Sequence, residues 1–438
     1  MTLPAAERRA VIAGTGIAGT VAACELRRRG FEVWMLEPAR VRGARGVEAL
    51  PAATVTALQD LGLGACLFRA GAVAVRGFEN AWDGASQVRI LDGIWHHVER
   101  EALARALRDA ALERGARIIA MERLPRLVQR DGAGPFCWDD AGLPPVSRIA
   151  VDATGRAARW SRPVVRCSPK VAALFRGPGV SRPRRGRIVR TSAGWAYALF
   201  HPRATTVGVV TAARNTERQA LSVEVTAALG LAAPEMFRLD RPCAAHPQWA
   251  ASPASTSLEH ARFAIGDAAL AYEPLAGQGV RFAVASAAAA AACCETQRDA
   301  SRDRPGDFEA AAAYYDEFVA SARRRHLAQL ASRAGEQGHP PHAIVGGDVP
   351  LRFSAAIVPT GVRQDDRIVA GVGIRLGDGE LVRWLGRFDL LELRDLAAAP
   401  RAARDLQVTL QGRGLARPHA EALVQWCVQR GVLAPVVP

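Results

Sequence analysis

Short apolar runs separated by glycines open the chain. Ala10–Ala13 is continuously apolar and predicts a buried strand; Thr20–Arg29 predicts a helix stopped by Gly30, and Glu32–Leu36 a second strand. In WHHVEREALARALRDAALERGARI, Leu103, Leu107, Ala110 and Ala111 share one helical face, with Gly115 as the stop. RIAVDATGRAARW reads as another buried strand, ending at Asp152-Ala153-Thr154-Gly155. The pattern then changes. RIVRTSAGWAYALFHPRATTVGVVTAAR alternates and turns like antiparallel strands, with His201-Pro202-Arg203-Ala204 as a turn. NTERQALSVEVTAALG predicts a helix. AIGDAALAYEPLAGQGV then leads straight into an alanine-rich helix.

Beyond YYDEFVASARRRHLAQLASRAG, the Gly/Pro-rich stretch GEQGHPPHAIVGGDVP marks a boundary. From about residue 360 the chain reads mainly as short helices: ELVRWLGRF, LLELRDLAAAP, AARDLQVTLQGRG and RPHAEALVQWCVQRG. The last places Ala420, Leu423, Val424 and Cys427 at helical spacing, with Pro418 near its start and Gly431 beyond its end. The order predicts an α/β protein. Residues 1–165 and 257–340 would form two parts of one Rossmann-like domain. Residues 166–256 would be an inserted antiparallel sheet, and 341–438 a small, mainly helical, winged-helix-like domain.

A length of 438 residues suits two or three domains, and 49% hydrophobic with 23% charged residues is ordinary for a globular protein. Neither a signal peptide nor an apolar run long enough to span a membrane is evident, so a cytoplasmic protein is expected. The net charge of +14 invites a nucleic-acid reading. It is discounted, because the basic residues are spread along the whole length and all but Lys170 are arginine. The eight cysteines include no C-x-x-C pair, so zinc and disulfide frameworks are not expected. His96 and His97 lack a third ligand spaced nearby, so no metal site is expected.

Gly14, Gly16 and Gly19 form G-x-G-x-x-G between the first strand and helix, enclosing Ile17 and Ala18, and Glu37 closes the second strand. That set is a dinucleotide-binding fingerprint: glycines let the backbone approach a pyrophosphate, and the acid binds a ribose hydroxyl. Asp267, at the end of an apolar run, can accept from a hydroxyl. Gly277 and Gly279 remove side chains at the mouth of a helix whose N-terminus favours negative charge. Arg100 lies in the first turn of its helix, where a cation opposes the dipole, so it is expected to have another partner.

These ordered motifs resemble the flavin monooxygenases typified by p-hydroxybenzoate hydroxylase, which share a glutathione-reductase-like fold with flavin-dependent halogenases. The resemblance covers roughly the first three quarters of the chain. It implies FAD with its pyrophosphate over Gly14–Gly19 and its adenosine ribose on Glu37. It further implies that Arg45 reaches back to FAD near the substrate, Arg100 lies near the ribityl chain, and Asp152 belongs to the D-x-x-G element. Asp267 would bind ribityl hydroxyls; Pro274, Gly277, Gln278, Gly279 and Val280 would lie against the flavin ring. The implied chemistry is reduction by NADH or NADPH, then addition of oxygen to give a flavin C4a-hydroperoxide that attacks an electron-rich aromatic ring. Glu273 is the first candidate for a base, followed by His201, while Trp195 and Tyr197 share a strand face and are candidates to line the cavity.

Halogenases of this group carry W-x-W-x-I-P; here the stretch is Trp195-Ala196-Tyr197-Ala198-Leu199-Phe200. They also use a lysine ahead of the D-x-x-G element, whereas positions 1–169 hold none. Oxygen insertion is therefore preferred to halogenation. With the tail, these departures resemble flavoproteins that hydroxylate a tryptophan inside a partner polypeptide, as in maturation of cysteine tryptophylquinone in quinohemoprotein amine dehydrogenase. The implied partner is a tryptophan-containing polypeptide, with no nucleic acid or membrane expected and no oligomeric state implied. The alternatives are a small-aromatic hydroxylase and, from another class, a flavin-binding winged-helix regulator using Arg401, Arg404 and Arg413 on DNA phosphates.

Overall fold

The computed structural model describes residues 8–38, 46–81, 89–129, 136–138, 147–161, 164–167, 170–183, 185–191, 194–212, 225, 228–231, 237–239, 243–256, 260–273, 277–299, 306–334, 346–364, 366–386 and 388–436. Arg45 and Pro274 lie outside them, as does most of the helix expected over NTERQALSVEVTAALG. The fold is mixed α/β with several sheets, in two compact units, Met1–Arg298 and Asp299–Pro438.

A six-stranded sheet organises the first unit, in the order Ala254–Thr256, Ala261–Ala264, Ile149–Asp152, Arg9–Ala13, Glu32–Pro38, Arg117–Met121. All neighbours are parallel except the antiparallel pair at the Ala254–Thr256 edge. Ala10, Val11, Ile12 and Ala13 are all buried, and Ile149–Asp152 likewise. Strands covered on both faces read as unbroken apolar runs, which is why no alternation marked them. Helix Ile17–Arg28 makes the crossover from the first strand to the second. The alanine-rich helix Gln278–Asp299 is buried along most of its described length, from Val280 to Cys294.

Parallel register decides where the loops gather. Ala13 and Ala264 both sit beside Asp152, so the three adjacent strands Arg9–Ala13, Ile149–Asp152 and Ala261–Ala264 end together. Loops beyond the carboxyl ends of such strands form the usual ligand crevice.

A nine-stranded sheet lies in the same unit. Its main path is Arg238–Leu239, Lys170–Gly177, Ala204–Ala212, Gly194–His201, Gly186–Thr191, Val73–Ala81, Arg89–Glu99, Val47–Pro51, and Cys243–Ala244 pairs with Lys170–Gly177. The expected hairpin is present, with His201 paired to Ala204 around Pro202-Arg203. The sheet is not confined to residues 166–256, however. Three of its strands come from residues 47–99, which sequence assigned to the first domain part, because inter-strand pairing is non-local and leaves no mark in composition.

The second unit begins earlier than the expected boundary at 341. Helix Gly306–Ala334 belongs to it and packs on a hairpin, Ala356–Gln364 with Arg367–Arg375. Gly361 is needed there, because a Cβ would meet the Ala310 carbonyl at 2.2 Å and the Tyr314 side chain at 2.7 Å. This hairpin was missed where short helices were expected. ELVRWLGRF is likewise not helical: it forms the short strands Leu381–Val382, Trp384–Leu385 and Phe388–Asp389. Helices do form at Glu392–Leu396, Ala403–Gly412 and Arg417–Gln429, and the last buries Ala420, Leu423, Val424 and Cys427 as the spacing predicts. Strands Arg401–Ala402, Pro350–Phe353 and Leu433–Pro435 complete this subunit as a three-stranded sheet. The elements from Glu392 onward run helix, strand, helix, helix, strand, and the unit also carries the long hairpin Ala356–Gln364 with Arg367–Arg375 beside its helices.

No helix among the described residues is long and apolar enough to cross a membrane, and none of their His, Cys, Asp and Glu residues cluster as metal ligands.

Candidate active site

The glycine-rich turn is built from backbone approach. Gly14 has φ +107°, and a Cβ there would lie 2.4 Å from the Ala153 carbonyl oxygen. A Cβ on Gly19 would lie 2.1 Å from the Gly14 carbonyl oxygen. These two glycines therefore close the strand–loop–helix turn. Gly16, Gly155 and Gly279 differ, since a Cβ on any of them would meet nothing within 4 Å. Gly16 is the N-cap of Ile17–Arg28, beside first-turn amides that lack intrahelical acceptors, while Gly155 follows the strand that ends at Asp152 and Gly279 lies in the first turn of Gln278–Asp299. Tight glycines behind and open glycines in front are what a dinucleotide pyrophosphate requires, so the residues present fit FAD.

Glu37 Oε1 accepts from Thr15 Oγ1 at 2.7 Å and from Arg108 Nη1. Burial pushes the pKa of this carboxyl up, but the bonds from Arg108 and Thr15 outweigh it and hold the pKa below the ordinary value. Asp267 lies in the short turn Gly266–Ala268, where a Cβ on Gly266 would touch the Ala18 Cβ at 2.8 Å. The fold thus brings Asp267 to the fingerprint helix across most of the unit's sequence. Its carboxylate has no protein hydrogen bond among the described residues, leaving it available to a hydroxyl. Gln278, Gly279 and Val280 form the first turn of the alanine-rich helix, after Gly277 with φ +59°.

Two expected cofactor residues also have protein partners. Asp152 is fully buried; Oδ1 accepts from Thr154 N and Oγ1, and Oδ2 from Trp160 N. It shapes the D-x-x-G loop. Arg100 ion-pairs with Glu48 at 2.6 Å, the partner its place in the first turn implied.

Glu273 is the centre of the other half. Its side chain is 2% exposed; Oε2 accepts from Lys170 Nζ at 2.7 Å and Oε1 from Trp195 Nε1 at 3.2 Å. Register explains the meeting. Lys170 pairs with Ala212 and Trp195 with Val210 on opposite sides of strand Ala204–Ala212, so both stand at one end of the large sheet. Strand Leu270–Ala271 pairs with Gln248–Ala250, and Pro247 accepts from Cys167 N, which ties the approaches to Glu273 and Lys170 together. Arg156 donates to the Tyr272 and His246 carbonyls and anchors the segment further. Burial raises the Cys167 thiol pKa, with Lys170 opposing and Glu273 adding to the rise.

Tyr197 stacks at 5.6 Å from Trp195, on the same strand face as expected. Both pack in a shared cluster with Ile188, and Tyr197 continues into a second with Phe78 and Trp95. Phe78 meets Trp95 edge-on at 4.9 Å. A Cβ on Gly277 would lie 2.5 Å from the Ala49 carbonyl and 3.5 Å from the Trp95 ring. An aromatic run therefore extends from Glu273 to the mouth of the alanine-rich helix. Sequence reasoning missed Trp95, Phe78, Lys170, Arg156 and Arg108. Only Lys170 carried a signal, as the single lysine among 57 basic residues.

His201 does not join this site. It lies six residues beyond Trp195 on the strand, about 20 Å at strand rise. It is buried, receives Arg203 N on Nδ1 and donates from Nε2 to the Gly71 carbonyl. It is a structural histidine of the hairpin end. His97 is also buried, donating from Nδ1 to the Phe200 carbonyl at 2.8 Å, and burial pushes its pKa down to about 4.

No protein-family model and no curated protein sequence matches the chain. Solved structures do. The peptidyl tryptophan dihydroxylase QhpG, essential for tryptophylquinone cofactor biogenesis, aligns over 97% of this chain and 99% of its own, with TM-score 0.66 and 22% identity. The flavin-dependent halogenase CmlS aligns over 98% and 96%, with TM-score 0.71 and 17% identity. The probable FAD-dependent monooxygenase pqsL of Pseudomonas aeruginosa covers 74% of this chain and 95% of its own, with TM-score 0.57 and 20% identity. The chain therefore has the fold of the flavoprotein superfamily that holds these hydroxylases and halogenases.

Proposed function

We propose that the protein is an FAD-dependent monooxygenase that hydroxylates the ring of a tryptophan in a partner polypeptide, towards a tryptophylquinone cofactor. The observation that carries this reading is buried Glu273, held between Lys170 and Trp195 on the segment that leads into Gly277. An aromatic wall beside a buried carboxylate suits an aromatic substrate that must lose a proton. The alignment with QhpG along nearly the whole of both chains supports a polypeptide substrate, and the second unit would be its dock.

Bound FAD, reduced by NADH or NADPH, would supply an electrophilic oxygen atom from O2. Gly14–Gly19 and Glu37 would hold the dinucleotide, and Asp267 the ribityl hydroxyls. First-turn amides from Gln278 onward would favour negative charge on the ring system. The roles implied for Arg45 and Pro274 belong to the same proposal. Trp95, Phe78 and Tyr197 would exclude water and orient the substrate ring. Glu273 would take the proton that the attacked ring carbon releases as aromaticity returns. Free thiols at Cys24, Cys66, Cys293, Cys294 and Cys427 suit a reducing, cytoplasmic setting.

A second reading, halogenation, is favoured by one observation. The lysine expected to be absent is present in space, since Lys170 reaches the site from beyond the D-x-x-G element rather than ahead of it. One experiment separates the readings: the intact mass of a tryptophan-bearing partner polypeptide after incubation with the enzyme, NAD(P)H, air and bromide. A gain of one or two oxygen atoms mapped to tryptophan supports hydroxylation. A gain of bromine supports the second reading, and no gain with a reducible flavin points to a free aromatic metabolite.

A further inference from the structure

We infer that Lys170 is a positioning residue of this site, which holds the Glu273 carboxylate in the orientation that receives the substrate proton. The inference rests on the reading of Glu273 as the base.

Composition first sets Lys170 apart. Of 57 Lys and Arg residues, it alone is lysine, in a chain that uses arginine at every other basic position. Arginine presents a planar fork that matches both oxygens of a carboxylate, whereas lysine is a compact point donor. The geometry needs the latter. Oε2 accepts from Lys170 at 2.7 Å and Oε1 from Trp195 at 3.2 Å, so the two donors reach different oxygens. A guanidinium here would claim both oxygens and displace the indole N–H. The two donors together fix the carboxylate plane, which neither does alone.

Burial adds the second argument. Glu273 is 2% exposed and Lys170 40% exposed, so the ammonium bridges a buried charge to the surface. Removing it takes a counter-charge from a buried carboxylate and loosens its hold beside the aromatic wall. Misplacing a catalytic group by about 1 Å costs on the order of 100-fold in rate.

The test uses the full-length, FAD-loaded enzyme. Lys170→Met is expected to keep its flavin and to leave KM for the tryptophan polypeptide within about twofold, while kcat falls about 100-fold. Lys170→Arg should restore little of the loss, and Lys170→Ala should recover rate in added propylamine, which can enter from the exposed side. In a Glu273→Gln background Lys170→Met should cost nothing further, because it acts through that carboxylate. Unchanged kcat in Lys170→Met, full rescue by arginine, or a further loss in the double variant overturns the inference.

A separate readout needs no turnover. With isotopically labelled lysine the protein gives one side-chain ammonium signal. It is expected to move in Glu273→Gln, and to respond to N-acetyltryptophanamide in the native enzyme. A signal indifferent to Glu273→Gln overturns the pair itself. If the signal moves as expected but the native enzyme adds no oxygen to tryptophan, the positioning pair stands and the hydroxylase reading falls.

Discussion

At the scale of single residues, Glu273 and Asp267 do different work, and substitution should separate them. Glu273→Gln keeps the hydrogen-bond acceptor toward Trp195 but removes the proposed base. Flavin content should be unchanged and hydroxylation slowed by about 10²- to 10⁴-fold, measured by stopped-flow and product mass. Asp267→Ala removes an acceptor that no donor among the described residues uses, so the loss should appear in FAD retention on gel filtration. His97 makes a stability prediction. Its pKa falls from the ordinary 6.5 to about 4 because burial disfavours the imidazolium, so the unfolded chain binds the proton first. Its contribution is complete above pH 6.5 and is lost as pH falls towards 4, amounting to about 3 kcal/mol over that window. Denaturant titrations from pH 7 to 4 should show that slope, and His97→Gln should flatten it.

At the scale of elements, the fingerprint loop offers a sharper test than any single acid. Gly19→Ala would drive a methyl into the Gly14 carbonyl and should destabilise the fold by about 1–3 kcal/mol with or without flavin. Gly16→Ala meets no protein atom and should fold with the native Tm, yet bind FAD at least about tenfold more weakly. Equal FAD affinity in a folded Gly16→Ala protein would remove the pyrophosphate from this loop. Much of this element was legible, because strand, glycines, helix and terminal acid are local signals. The helices Ala403–Gly412 and Arg417–Gln429 were legible for the same reason, through their helical spacing. The hairpin Ala356–Arg375 was not, because VPTGVRQDDRIVAGVGI offers glycines and β-branched residues without clean alternation. Tertiary packing on helix Gly306–Ala334 decides it.

At the scale of the whole molecule, the net charge of +14 has a kinetic consequence. An acidic partner polypeptide should associate faster at low salt, and the association rate should drop on the order of tenfold as screening shortens the reach of the field. The catalytic step, measured under saturation, should not change. A salt-independent association rate would mean that the arginine excess is compositional only. It is consistent with that possibility that many of the described arginines in the second unit are already paired, as Arg413 is with Glu392 and Arg430 with Glu380.

The sequence by itself determined the glycine-rich strand–turn–helix and the acid-tipped strand after it, since each part lies within a short window where periodicity, glycine spacing and helix polarity act locally. It also determined that Trp195 and Tyr197 share a face, because strand alternation has only two sides. Only the tertiary structure decided which distant groups meet them. Lys170 and Glu273 are 103 positions apart and become neighbours through strand register. Register likewise carries His201 away from the same site, and Asp152 turns inward because its own loop satisfies its carboxylate. A residue's type is written locally, but its partner is chosen by pairing between segments far apart in the chain.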